Sequence, residues 1–249
     1  MSDMPLSIDD LTERDVAKTI DHSLLRPELD DDFVADGCRL AARYEVASVC
    51  VRPADIARAR ELLDGTDVAV GTTIGFPHGN HLTSTKVFEA ERALRDGASE
   101  LDMVLQIGAL KSRRDAEVQN DIAALVEVAH AAGAIVKVIF ENAYLTDDEK
   151  IRACRLTEAA GGDFVKTSTG FAPGGATHDD LRLMRASTGS HIAVKAAGGV
   201  RTLDALLEVM ALGVTRIGAT ATETIIKDFR ARKSGAAPAP AASGGESGY

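Results

Sequence analysis

One pattern recurs along this chain: an amphipathic segment closes on glycine, and a short β-rich run follows at once. "RDGASELDMVL", "HAAGAIVKVIF", "AAGGDFVKTS" and "ALGVTRIGA" all share it. Glycine just past the last helical residue supplies the left-handed stop of a helix. The runs beyond have the length and composition of buried strands. The pattern predicts strands near residues 19–23, 47–52, 67–75, 100–105, 135–141, 163–168, 191–197 and 215–219. Helical segments fall between them, such as "PADIARARELL", with Pro53 near a first turn, and "DAEVQNDIAALVEVAHAA". Such βα units filling about 220 residues match an α/β fold of the (β/α)8 TIM barrel type. An open, doubly wound sheet is the alternative for alternating elements. The glycine-rich dinucleotide fingerprint found after the first strand of many such sheets is absent from this sequence, which weighs against that alternative.

The ends read differently. "IDDLTERDVAKT" predicts a short extra helix ahead of the first strand, and "SGAAPAPAASGGESGY" has the low-complexity composition of a disordered tail. The expected organisation is a single domain over 1–233 and a tail over 234–249, with Tyr249 expected to fray rather than fold back. A formal net charge of −10 argues against nucleic acid and against an anionic membrane as partner, since both demand clustered cations. Cys38, Cys50 and Cys154 are widely spaced with no CxxC pair, as in a reduced compartment. The N-terminus is acidic and no run is long enough to span a bilayer, so the expected location is the cytoplasm.

Four charged residues sit where apolar ones belong. Lys137 in "VKV", Lys166 in "FVK" and Lys195 in "AVK" fall in three successive strands, 29 residues apart each time. That interval is one βα unit. Residues i and i+2 of a strand share a face, so Ala193, Lys195 and Ala197 point one way, as do Phe164, Lys166 and Ser168. Asp102 is equally out of place, flanked by Leu101 and Met103. A structural ion-pair network is one reading of the set, above all for Lys137. Three interior cations with few interior carboxylates, however, leave positive charge unmatched, and desolvated excess charge is expensive. A second ammonium about 6 Å from a first, at an effective dielectric of about 20, disfavours its charged form by about 2.8 kcal/mol. Crowding of that kind yields the neutral amine that attack on a carbonyl carbon requires. Lys166 is the best-placed nucleophile of the three, because "TSTG" follows it at the strand's C-terminal end, where barrel active sites lie.

The turns after the late strands suit an anion. "KTSTGF", "AAGGVR" and "RIGATAT" offer Thr169, Gly170, Gly198, Gly199, Ala219 and Thr220. Loops after the seventh and eighth strands commonly bind phosphate through backbone N–H groups and a helix N-terminus. Glycine pairs also simply end strands, and Arg201 serves equally as a phosphate contact or a surface charge. Thr220 is expected to open the last helix. No metal is expected: His78 and His81 in "GFPHGNH" lie on a loop rather than on one helix face. His22 either orients a substrate or bonds locally. Cys50 shares interior parity with Ser48 and is expected to act as a small buried hydrophobe rather than a reactive thiol.

Taken together, "IDHSLLRP", "VCVRP", "GFPHG", "ELDMVLQIGAL", "VKVIFENAYL", "FVKTSTGF", "KAAGGVRT" and "RIGA" resemble the 2-deoxy-D-ribose-5-phosphate aldolase family over about residues 20 to 219. The resemblance implies a metal-independent, cofactor-free class I aldolase. Its reaction is the reversible cleavage of 2-deoxyribose 5-phosphate to glyceraldehyde 3-phosphate and acetaldehyde. It implies that Lys166 forms the Schiff base, that Lys195 perturbs it and takes part in proton transfer, and that Asp102 is the general acid/base partner. Lys137, Asp21, Ser23 and Cys50 match pocket-lining positions. Two departures stand out: Ser23 occupies a position where the family usually has Thr, and "GATAT" replaces a serine-bearing loop, with Ala221 lacking the second hydroxyl. The partners implied are a sugar phosphate and acetaldehyde, with self-association into a dimer or tetramer common for such barrels. Another Schiff-base lyase, transaldolase-like, and a non-catalytic sugar-phosphate-binding barrel are the competing expectations.

Overall fold

The computed structural model describes residues 6–236. Eight parallel strands close into a barrel in sequence order: β1 Ile20–Leu24, β2 Ser48–Val51, β3 Ala69–Ile74, β4 Glu100–Val104, β5 Ile135–Ile139, β6 Phe164–Lys166, β7 Ala193–Ala197 and β8 Arg216–Ala219. β8 pairs back onto β1, with Asp21 opposite Gly218. Among the described residues the helices are α1 Glu13–Ala17, α2 Asp31–Arg43, α3 Ile56–Leu62, α4 Thr83–Arg95, α5 Ile107–Lys111, α6 Asp115–Ala131, α7 Asp147–Ala159, α8 His178–Ala186, α9 Leu203–Ala211 and α10 Thr222–Lys233. The fold is therefore the (β/α)8 barrel. The open-sheet alternative is excluded by the closing β8–β1 ladder.

The glycine stop holds at four helix ends, while Glu45 and Arg113 take the same left-handed place after α2 and α5. Gly97, Gly133, Gly161 and Gly213 each stand two residues beyond α4, α6, α7 and α9, all at positive φ. Their left-handed backbone ends the helix and lets the next strand begin within two to three residues. Starts are equally local: Thr146 and Glu149 form a reciprocal capping box on α7, and the Asp30 side chain accepts from Phe33 N at 2.9 Å on α2. The predicted leading helix is split. A 3-10 turn at Ile8–Asp10 gives way at Leu11 to an extended backbone, and α1 starts afresh from a capping box made by Thr12 and Asp15. Of the tail expected over 234–249, residues 234–236 close α10, Ser234 N–H and Ala236 N–H both donating to Ala231 O; the remainder, Tyr249 included, lies outside the described residues.

Strand alternation divides the barrel into two kinds of surface. Val49, Val70, Leu101, Met103, Val136, Val138, Val165, Val194 and Ile217 are buried between sheet and helices. Their neighbours on the inner face are largely polar or charged: Asp21, Glu100, Asp102, Lys137, Lys166 and Lys195, each also buried. Barrels of this type usually fill the interior with branched apolar layers. Here an ionic layer replaces part of that filling, and the apolar core lies outside the sheet.

Candidate active site

The inner-face register brings the predicted residues together. Asp102 pairs in register with Lys137 across β4–β5, and Lys166 with Lys195 across β6–β7. Lys166 Nζ donates to Asp102 Oδ2 at 2.7 Å, and Lys195 Nζ donates to the same oxygen at 2.7 Å. The two amines are therefore no further apart than twice that distance. Lys137 Nζ takes the other oxygen, Asp102 Oδ1, at 2.8 Å, and also donates to Glu100 Oε2 at 2.7 Å. Asp21 Oδ2 lies 2.5 Å from Lys195 Nζ, an ion pair without an aligned hydrogen bond, and 3.8 Å from Lys137 Nζ. Asp102 is fully buried and the three lysines are 1% exposed.

Electrostatics follow from that geometry. Burial pushes the Asp102 carboxyl up, but Lys137, Lys166 and Lys195 together outweigh it and hold the group well below the usual carboxylate range. Asp21 behaves likewise: burial opposes ionisation, and Lys195, Lys137 and Arg216 overcome it. Lys137 shifts the other way from an isolated buried lysine. Burial favours its neutral form, yet Asp102, Glu100 and Asp21 more than compensate and lift it above the usual lysine value.

The interior holds more charges of both signs than the lysine spacing indicates. Glu100 is buried on the inner face two residues before Asp102, and Arg216 reaches in from the start of β8. Its Nε donates to Asp21 Oδ1 at 2.6 Å and its Nη2 to Glu100 Oε1 at 2.6 Å. Glu100 was legible, since it shares the period-two face of Asp102. Arg216 follows Lys195 by 21 residues and so falls outside the 29-residue interval. With both included, Lys137, Lys166, Lys195 and Arg216 face Asp21, Glu100 and Asp102. One positive charge remains in excess rather than several.

The other predicted residues surround this cluster. Ser23 stands two residues above Asp21 on β1, opposite Cys50 of β2; its Oγ is buried without a hydrogen-bond partner among the described residues. The Cys50 thiol is pushed up to about 11, first by burial and then by Asp102, so it is not a thiolate at neutral pH. Thr169 is fully buried, and its hydroxyl and N–H both bond the Glu141 carboxylate. Glu141, missed in the sequence, is buried at φ +56°, and nothing in "FENAY" signals that conformation. Gly170, Gly198 and Gly199 all adopt positive φ, and the Gly198 backbone lies against Gly175 so closely that a Cβ would meet Gly175 Cα at 2.9 Å. Ala219 ends β8 buried, and Thr220 is exposed. The expectation that Thr220 opens the last helix is corrected: α10 begins at Thr222, and the N-cap Ala221 has no side-chain acceptor to offer. His22 points out of the barrel, with Nδ1 2.9 Å from Thr222 Oγ1. His78 and His81 are both exposed. A cavity of about 430 Å³ opens beside the end of β1, reaching Ser23, Leu25, Phe33 and Thr220 but not the lysines.

A buried carboxylate clasped by an amine at the end of β6 and another midway along β7 suits imine chemistry on a carbonyl. The profile of the DeoC/LacD family aldolases matches residues 16–237. The deoxyribose-phosphate aldolase of Rhodopirellula baltica is 51% identical over 221 residues, covering 89% of this chain and 92% of that protein. That of Thermococcus kodakarensis is 48% identical over 219 residues, 87% of this chain and 98% of the relative. Among solved structures, the tetrameric deoxyribose phosphate aldolase of Aeropyrum pernix superposes with a TM-score of 0.83 at 28% identity, covering 90% of this chain and 95% of that one. The chain belongs to the DeoC/LacD family of aldolases.

Proposed function

We propose that this aldolase reversibly cleaves 2-deoxy-D-ribose 5-phosphate to glyceraldehyde 3-phosphate and acetaldehyde through an imine on Lys166. The observation that carries the reading is one oxygen, Asp102 Oδ2, accepting from both Lys166 and Lys195 at 2.7 Å. Names of relatives about half identical to the chain favour the same substrate.

The chemistry runs in balanced steps. Lys166 passes a proton to its surroundings and attacks the C1 aldehyde of the open-chain sugar. Loss of water gives a protonated imine, which withdraws electrons from C2. Removal of the C3 hydroxyl proton, directly or through an ordered water, then breaks C2–C3 and leaves an enamine. Glyceraldehyde 3-phosphate departs; protonation at C2 and hydrolysis release acetaldehyde and regenerate the amine. Asp102, held as a carboxylate by its lysines, serves as a relay: a proton leaving Lys166 passes across its Oδ2 toward the hydroxyl that departs as water, and Lys195, on the same oxygen, gives its proton to C2 of the enamine and regains one from solvent. The general acid/base role expected for Asp102 is shared in this way with Lys195.

The phosphate falls to the loops after β6, β7 and β8. Gly198 and Gly199 expose backbone in left-handed conformation, and α10 presents uncapped first-turn N–H groups because Ala221 replaces a hydroxyl-bearing cap. Thr169 serves through its loop rather than its hydroxyl, which Glu141 already engages. Ser23, Cys50 and Lys137 shape and charge the pocket wall. The chain acts in the cytoplasm and self-associates; among the described residues no helix is long and apolar enough to cross a membrane.

A coupled assay for acetaldehyde release separates the readings. 2-Deoxyribose 5-phosphate is expected to turn over with kcat/KM at least ~10²-fold above unphosphorylated 2-deoxyribose, the scale of a few lost phosphate contacts. Equal rates on both sugars, or activity confined to a keto-acid or transaldolase substrate, rejects the assignment.

A further inference from the structure

The ionic contacts close into a ring. Arg216 bonds Asp21, Asp21 pairs with Lys195, Lys195 bonds Asp102, Asp102 accepts from Lys137, Lys137 bonds Glu100, and Glu100 returns to Arg216. Three cations alternate with three anions, so the ring is neutral. Lys166 hangs from it on Asp102 Oδ2, its one ion-pair partner among the described residues. The excess charge of the cluster is therefore the proton on Lys166.

Arg216 and Glu100 are the first residues of β8 and β4, at the N-terminal end of the barrel, while the active-site loops lie at the opposite end. Glu100 sits about 6–7 Å below Asp102 along its strand. Neither is placed to touch a substrate bound at Lys166. The remaining inner-face groups add little charge: β2 offers Ser48 and the protonated Cys50 thiol, β3 offers Gly71 and Thr73, and β6 offers the Phe164 ring, 5.9 Å from the Arg216 guanidinium carbon.

We propose that Arg216 and Glu100 are positioning residues which, by closing a neutral ring beneath the site, set how readily Lys166 gives up its proton. The inference rests on Lys166 being the imine-forming amine. Taking away the Arg216 charge leaves three anions balanced by three cations with Lys166 still protonated, so release of that proton becomes harder. Taking away the Glu100 charge leaves the cluster with two positive charges in excess, and release becomes easier. A unit charge on the order of 10 Å away, at an effective dielectric of about 20, moves the pH dependence by roughly one unit. The two neighbours act in opposite directions, a result that loosened packing cannot imitate.

The test is the initial rate of acetaldehyde trapping on Lys166 by borohydride, located by mass spectrometry and followed against pH. Arg216→Met is expected to move the acid limb up by roughly one unit, Glu100→Gln to move it down by a similar amount, and Arg216→Lys to keep it near wild type. Circular dichroism and thermal melts identify the folded variants. If Arg216→Met does not fold, the downward shift of Glu100→Gln against an unmoved Arg216→Lys decides the matter. An adduct in wild type with coincident profiles, or with both variants moved the same way, overturns the ring's role alone. Absence of any adduct on wild-type Lys166 overturns the proposed function and this inference with it.

Discussion

Asp102 binds two ammonium groups on one oxygen and a third on the other, so its substitution exposes all three at once. Asp102→Asn removes the counter-charge of a fully buried cluster. Breaking a buried pair from one side commonly costs about 3–5 kcal/mol, and a denaturant titration is expected to register a loss of that order together with loss of turnover. Unchanged stability argues that the cluster is already solvated. Lys195→Leu probes a different property. With one cation gone, Asp102 Oδ2 has Lys166 alone as partner and the protonated form of that amine is favoured, so the acid limb of the rate profile is expected to move to higher pH. An unmoved profile contradicts the coupling of the two amines. At this scale the sequence told much about the lysines, because an ammonium inside an apolar run has few explanations. It told little about Glu141 or Arg216. The first depends on a backbone conformation that no residue type announces, and the second on which end of a short strand a long side chain enters.

Between elements, two contacts carry predictions. His22 faces away from the barrel into the junction of β1 with α10, where burial holds its imidazole neutral and brings it down to about 4. The unfolded chain takes up a proton below about 6.5 while the fold does not, so stability is present above that value and is lost as pH falls toward 4. The window is worth about 3 kcal/mol. Comparing urea unfolding of wild type and His22→Asn at pH 7 and pH 4.5 is expected to show the variant losing less, and equal losses contradict the burial argument. The second contact is Gly198 against Gly175. Gly198→Ala meets both a left-handed backbone and a Cα at 2.9 Å, so the loop must shift. KM for a phosphorylated sugar is expected to rise at least ~10-fold, by analogy with loss of a single charge-assisted hydrogen bond, while the rate on an unphosphorylated aldehyde stays within a few-fold. Strand positions were readable here because glycine stops and apolar runs are local signals. The start of α10 was not: Thr220 was expected to open it, but the helix begins at Thr222 behind Ala221, a residue with no capping side chain to mark the place.

Across the whole molecule, the barrel separates two jobs that most barrels merge. Apolar packing lies mainly between sheet and helices, and one layer of the interior is given over to charge. Closing the sheet is what makes this work: residues scattered from Asp21 to Arg216 become neighbours only when β8 returns to β1. Size and alternation of elements indicated the barrel, whereas the charge balance required every strand in register at once. Apolar Phe33, Leu82 and Phe88 remain exposed on the helical layer, in keeping with self-association, and light scattering of the purified chain is expected to give a dimer or tetramer. A monomer at micromolar concentration contradicts that expectation. The central claim is that one amine, Lys166, captures an aldehyde. It is tested most directly by reducing the protein with borohydride in the presence of acetaldehyde and mapping the product by peptide mass spectrometry. The account predicts a single ethyl adduct on Lys166, absent from Lys166→Ala; an adduct on Lys137 or Lys195 instead, or none at all, contradicts it.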